Sequence, residues 1–190
     1  MTRVPRIILL IIILGTIITA ASMFSNLFGG QSSQKLFDLG FSAYHNGDHK
    51  TAINKLSEAI KKENDKSNPD KQLLSNIHNI RGEAYLSVGV AVLSQSDFVY
   101  ALDYNPKNES ALNNLGVWFS IEQFSTPDYK KSLEYFDKAI RLQPDRKDII
   151  LNKAIIKIKS GDMTGCEDLK KLDSDGYPDA KIGLQQFCKN

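Results

Sequence analysis

An all-α fold, assembled from repeated pairs of helices, is what this sequence of 190 residues predicts. Three observations point there. Small residues recur at Gly40, Gly82, Gly116 and Ala154, and the step from Gly82 to Gly116 is 34 residues. Apolar residues return between them at helical rather than alternating spacing, as in Phe98, Ala101 and Leu102. Gly47, Gly89 and Gly161 interrupt the pattern where a chain must turn. The stretch from Asn79 to Pro106 shows one whole unit. Gly82 lets two helices approach closely, Tyr85 fills the seam a turn later, Gly89 breaks the chain and Pro106 ends the second helix.

This helix–turn–helix unit resembles the tetratricopeptide repeat, a motif of about 34 residues with small, aromatic, alanine and proline positions at these spacings. The resemblance implies a right-handed α-solenoid in which the first helix of each pair lines a concave groove. It also implies a non-enzymatic scaffold whose partner is a protein or an extended peptide.

Residues 1–24 open with Arg3 and Arg6 and continue as an apolar segment that ends near Phe24. As a helix, Ile7 to Phe24 would span about 27 Å, enough for the hydrocarbon core of a bilayer. No charge follows Arg6 until Lys35, so the positive flank places the N-terminus in the cytoplasm and the repeats outside the cytosol, in the periplasm of a bacterium. A retained signal-anchor is the preferred reading. The alternative is a signal peptide cleaved near Ala20-Ala21-Ser22, releasing a secreted or periplasmic protein that self-associates through an aromatic N-terminal end. Residues 25–33, rich in Gly, Ser and Gln, read as a flexible linker, and 34–190 as the repeat domain.

The repeats fall at about 33–67, 70–107, 108–145 and 146–175. In the first, Gly40 is followed by a turn at Gly47 and a face of Ala52, Leu56, Ala59 and Ile60. The step from Gly40 to Gly82 is 42 residues, and Asn68-Pro69-Asp70 reads as a helix start with Asn68 as cap, so a lengthened first helix is expected in the second repeat. In the third, Leu112, Leu115, Gly116 and Phe119 precede Ser132, Phe136, Ala139 and Ile140, with Thr126-Pro127-Asp128 restarting the helix between them. The fourth is degenerate: Ala154, a turn at Gly161-Asp162, and Cys166 where the other copies have Ala or Ser. A capping helix over 177–188 would cover the open apolar end with Ala180, Ile182, Leu184 and Phe187. This ending resembles the C-terminal repeats of some bacterial envelope proteins of the family.

Two cysteines, Cys166 and Cys188, with no histidine near them in sequence, do not make a closed zinc site. Free thiols and a single bridge both remain open, and the compartment decides between them; outside the cytosol the bridge is favoured. Arg3 and Arg6 account for the net charge of +2, so the rest of the chain is neutral and lacks the basic footprint of a nucleic-acid binder. Nucleophile elbows, phosphate loops and zinc-protease motifs are absent from the sequence. His45 and His49 are four apart, but Gly47 between them separates their helix faces, so no metal or cofactor is expected.

Carried across from the family, the groove positions include Phe37, Phe41 and Tyr44 of the first repeat and Asn76, Asn79 and Glu83 of the second. They continue through Asn113 and Val117 of the third to Leu151 and Ile155 of the fourth. One subtype of the family grips a terminal carboxylate with a Lys/Asn/Arg clamp. Here its positions hold Phe37, Phe41, Ser110 and Asn114, or Asn79, Glu83, Asn114, Asp148 and Asn152 one repeat later. Neither register supplies a cation.

Overall fold

The computed structural model describes residues 31–123 and 126–188, which form nine α-helices and no strand. In chain order they are α1 (Ser33–His45), α2 (His49–Asn64), α3 (Lys71–Ser87), α4 (Ala91–Tyr104), α5 (Glu109–Ser120), α6 (Tyr129–Leu142), α7 (Lys147–Lys159), α8 (Thr164–Ser174) and α9 (Pro178–Phe187). The apolar segment 1–24 and residues 25–30 of the linker lie outside the described residues. Among those described, no helix is long and apolar enough to cross a membrane. The last linker position belongs to structure: Ser33 starts α1, and the Ser32 hydroxyl caps it by accepting the Lys35 N–H at 3.1 Å.

In the first three pairs a glycine lets a large side chain of the second helix seat against the backbone of the first. A Cβ on Gly40 would fall 2.6 Å from Leu56 Cγ, one on Gly82 2.7 Å from Phe98 Cε1, and one on Gly116 2.7 Å from Phe136 Cε1. Leu56, Phe98 and Phe136 are fully buried by this approach. The fourth pair shifts by one residue. There Gly165 abuts the Ala154 carbonyl, and Cys166 is only half-buried and turns to α9 instead of filling the Ala/Ser position expected of it. The turns at Gly47, Gly89 and Gly161 each require a positive φ of 78° to 94°.

Two helix starts differ from expectation. The caps are Asp70 and Asp128, accepting the Leu73 and Lys131 N–H groups at 3.0 Å, not the residues before the prolines. Both helices begin only after these aspartates, at Lys71 and Tyr129, which leaves Asn68 and Thr126 two residues before the capping position. The lengthened step between the first two repeats is shared, giving 16 residues in α2 and 17 in α3.

First helices touch along the stack, α1 to α3, α3 to α5 and α5 to α7, whereas among the described residues no two second helices meet. The stack therefore bends with its first helices inside and its second helices splayed outside. At the C-terminal end Ala180 and Leu184 of α9 pack on Ala154, Leu169 and Leu172. Ile182, expected in that lid, instead faces solvent at 52% exposure. Helical periodicity explains this, because 180 and 184 share a face and 182 lies across from it.

Candidate peptide-binding groove

The inner face begins with α1, whose 33/36/40 stripe is buried against its neighbours and leaves the 37/41 stripe facing the groove. The Phe37 and Phe41 rings lie 5.9 Å apart, and Phe41 stacks edge-on against His45 at 4.3 Å. Opposite them stand the amides of α3 and the start of α5. Together Phe37, Phe41, Asn76, Asn79, Asn105 and Ser110 border a pocket of about 270 Å³. Its wall also carries Glu109 and contains no Lys or Arg. A larger hollow of about 530 Å³ at the N-terminal end is bordered by Lys61 and Lys62 of α2 and by Asp65 just beyond it, and lacks an aromatic wall.

The polar groove residues are tied to one another across repeats. Asn114 Nδ2 donates to Asn79 Oδ1 at 3.0 Å and to Glu83 Oε1 at 2.8 Å, and Asn79 Nδ2 donates to the same Glu83 oxygen at 2.9 Å. The Glu83 carboxylate also faces the Tyr44 phenol; burial first, and then this negative charge, hold that phenol above the usual tyrosine value. One repeat on, Asn152 Nδ2 donates to Asn113 Oδ1 at 3.1 Å. With Tyr44 and Glu83, these amides form a ladder linking α1, α3, α5 and α7. Their first task is to register the helices, and part of their hydrogen-bonding capacity is thereby used.

The named groove residues thus divide. Phe37, Phe41, Asn76 and Asn79 converge on one pocket. Tyr44, Glu83 and Asn113 belong to the ladder. Val117 packs against the core cluster of Leu112 and Phe136, and Leu151 against that of Leu169 and Ala180 beside α9. Ile155 is half-buried on α7, away from the pocket. Gln72, Asn105 and Asn108 at the pocket were not read from sequence; Asn105 and Asn108 lie between α4 and α5, and only stacking brings them to α3.

Two buried carboxylates lie off the groove. Asp97 of α4 accepts a two-pronged pair from Arg81 at 2.7 and 2.8 Å, and His78 Nδ1 lies 2.7 Å away. Glu63 of α2 accepts from the Ser33 hydroxyl, from Lys66 Nζ at 2.6 Å and from the Asp70 N–H at 2.7 Å. Both were missed in the sequence. Among the described residues no group of three or more His, Cys, Asp or Glu is placed to hold a metal ion. Cys166 and Cys188 are joined in a disulfide, with Cα atoms 5.8 Å apart.

No protein-family model matches the chain. A stretch of 122 residues is 30% identical to the photosystem I assembly protein Ycf3 of Prochlorococcus marinus (strain MIT 9211), covering 55% of this chain and 64% of that protein. The chain thus spans less than two thirds of this relative. Among solved structures, the first TPR of Spaghetti (RPAP3) bound to the HSP90 peptide SRMEEVD superposes with a TM-score of 0.58 at 14% identity, over 69% of this chain and 94% of that one. A thermophilic TPR protein of Thermus thermophilus gives 0.60 at 14% identity, over 84% and 93%. The fold is that of a tetratricopeptide-repeat solenoid.

Proposed function

We propose that this chain is a non-enzymatic scaffold that takes an extended segment of a client protein into the groove between α1, α3 and α5. Residues 1–24 hold it at a membrane with the repeats outside the cytosol, where it serves the assembly of envelope proteins. The observation that carries the groove reading is the pocket itself: two aromatic rings facing a bank of side-chain amides, with no cation on its wall. Aromatic faces take apolar side chains, and amides pair with an extended backbone. An assembly role agrees with the name of the Ycf3 relative, and peptide capture with the bound state of the Spaghetti TPR. The peptide differs in kind, however. Without Lys or Arg at the pocket, nothing here repays the burial of a free acidic C-terminus.

The test is selection of binders from a displayed peptide library, followed by affinity measurement on wild type and variants. Selected peptides are expected to carry internal apolar anchors, and Phe41→Ala, at an exposed ring, should weaken them about tenfold or more without lowering Tm. The peptide SRMEEVD should not bind measurably. Affinities indifferent to both Phe37→Ala and Phe41→Ala would remove the groove from the account. The membrane reading rests on the sequence of residues 1–24; the mass of the mature N-terminus and protease access in intact cells test it.

A further inference from the structure

The outer surface of α4 is unlike that of the other second helices. The exposed sides of α2 and α6 carry Lys50, Glu58 and Lys61, and Lys130, Glu134 and Arg141. From Arg81 to Lys107 the sequence holds no other basic residue, and its acids are Glu83, Asp97 and Asp103. Asp97 is buried beneath Arg81, so the solvent side of α4 presents Val92, Leu93, Ser96, Val99 and Tyr100, with Asp103 at its end. Val92 is 74% exposed and Tyr100 52%. With Val88 and Val90 of the preceding turn, this face leaves on the order of 500 Å² of apolar surface uncovered, more than scattered surface residues account for.

We infer that this face pairs with the same face of a second copy of the chain, antiparallel, about a two-fold axis at Ser96. The spacing is self-complementary: Val92 and Tyr100 lie four residues either side of Ser96, and Leu93 and Val99 three. An antiparallel pair centred there sets Val92 against the partner's Tyr100 and Leu93 against the partner's Val99. Ser96 at the crossing allows close approach, and a hollow of about 270 Å³ bordered by Ser96, Val99 and Tyr100 receives the partner's Val92.

Charge fits the same register. Val90 gives α4 no capping side chain, unlike Asp48 of α2 and Asp128 of α6. The antiparallel pair brings Asp103 to the partner's uncapped helix start, where a carboxylate is stabilised by the helix dipole. Pairing would bury on the order of 1,000 Å² in total, the threshold for a specific interface. An anionic lipid surface would require basic residues that α4 lacks. The surface is separate from the α1–α3–α5 groove, so it stands or falls independently of peptide capture.

The experiment uses the full chain in mild detergent. Cys166 and Cys188 are already bonded, so Ser96→Cys introduces a lone thiol. Mild oxidation should convert Ser96→Cys to a covalent dimer, whereas Glu134→Cys on α6 should remain mostly monomeric. By sedimentation, Val92→Glu should weaken self-association about tenfold or more with helicity and Tm retained, and Asp103→Lys should weaken it to a lesser degree. A wild-type chain that is monomeric overturns the inference. So does a dimer that ignores Val92→Glu, or one that Ser96→Cys fails to cross-link. Vesicles that shield the Ser96→Cys thiol from a water-soluble maleimide, with the wild type monomeric, would hand the face to lipid instead.

Discussion

Glu63 shows how one side chain ties three helices. It sits near the end of α2, holds the first residue of α1 through the Ser33 hydroxyl, and holds the cap of α3 through the Asp70 N–H. Burial alone would raise its pKa, but the hydrogen bonds from Lys66, Ser33 and Asp70 prevail and keep the carboxyl below the usual glutamate value of 4.5. The unfolded chain therefore takes up this proton first as pH falls. The stabilisation is complete above the usual glutamate range and disappears as pH drops through the folded value. Urea unfolding across about pH 6 to 3 should show Glu63→Gln less stable than wild type at the top of the range, by about 1–3 kcal/mol, with the gap closing toward the bottom. A constant gap would mean that the charge is not what matters. Asp97 sets a harsher case, because Arg81 and His78 both lean on it in a nearly dry seam. Asp97→Ala should cost about 3 kcal/mol, read from the urea midpoint, since it leaves the half-buried Arg81 guanidinium with the Ser57 hydroxyl but no counter-charge.

At the scale of helices, the close contacts at glycine decide whether pairs form. Gly116→Ala would gain up to about 1 kcal/mol of helix propensity. It would also drive a methyl into the ring of Phe136, at 2.7 Å from Cε1, with no free space around that ring. Overpacking of this kind costs about 1–3 kcal/mol, so a net loss is expected, and Phe136→Leu in the same chain should recover part of it. A Tm that rises in Gly116→Ala would show that helix propensity outweighs the cost of this contact. These glycines were legible in the sequence because each repeat meets its own second helix at a fixed spacing. The pocket aromatics Phe37 and Phe41 were legible too, since the family's groove positions transfer by register. The cross-repeat partners of Asn79, Glu83 and Asn113 were not. They lie more than 30 residues away, and only the stacking angle between repeats brings Asn114 and Asn152 to them. Gly165 escaped for a related reason: the fourth repeat slips by one residue, and the regular spacing of the other copies points to Cys166 in its place.

For the whole molecule, the C-terminal end of the stack depends on one covalent fastening. A solenoid's stability is a sum of neighbouring contacts, so its ends open first unless something holds them. At the C-terminal end α9 is only 10 residues, and apart from its disulfide it contributes chiefly Ala180 and Leu184 to a shared core. Helix propensity does not hold so short a segment in place. The Cys166–Cys188 bond spans 22 residues, and closing a loop of that size restricts the opened state by about 3 kcal/mol in the chain-entropy account. Because contacts pass only between neighbours, the loss on removing it should be local. In Cys166→Ser/Cys188→Ser, amide exchange in α8 and α9 should accelerate by about a hundredfold, while α1 to α4 keep wild-type protection. The bond would then be a clamp on the last repeat, and reduction of the wild type should reproduce the pattern. Uniform acceleration along the chain would instead mean that the repeats unfold as one unit, and that the lid guards them all.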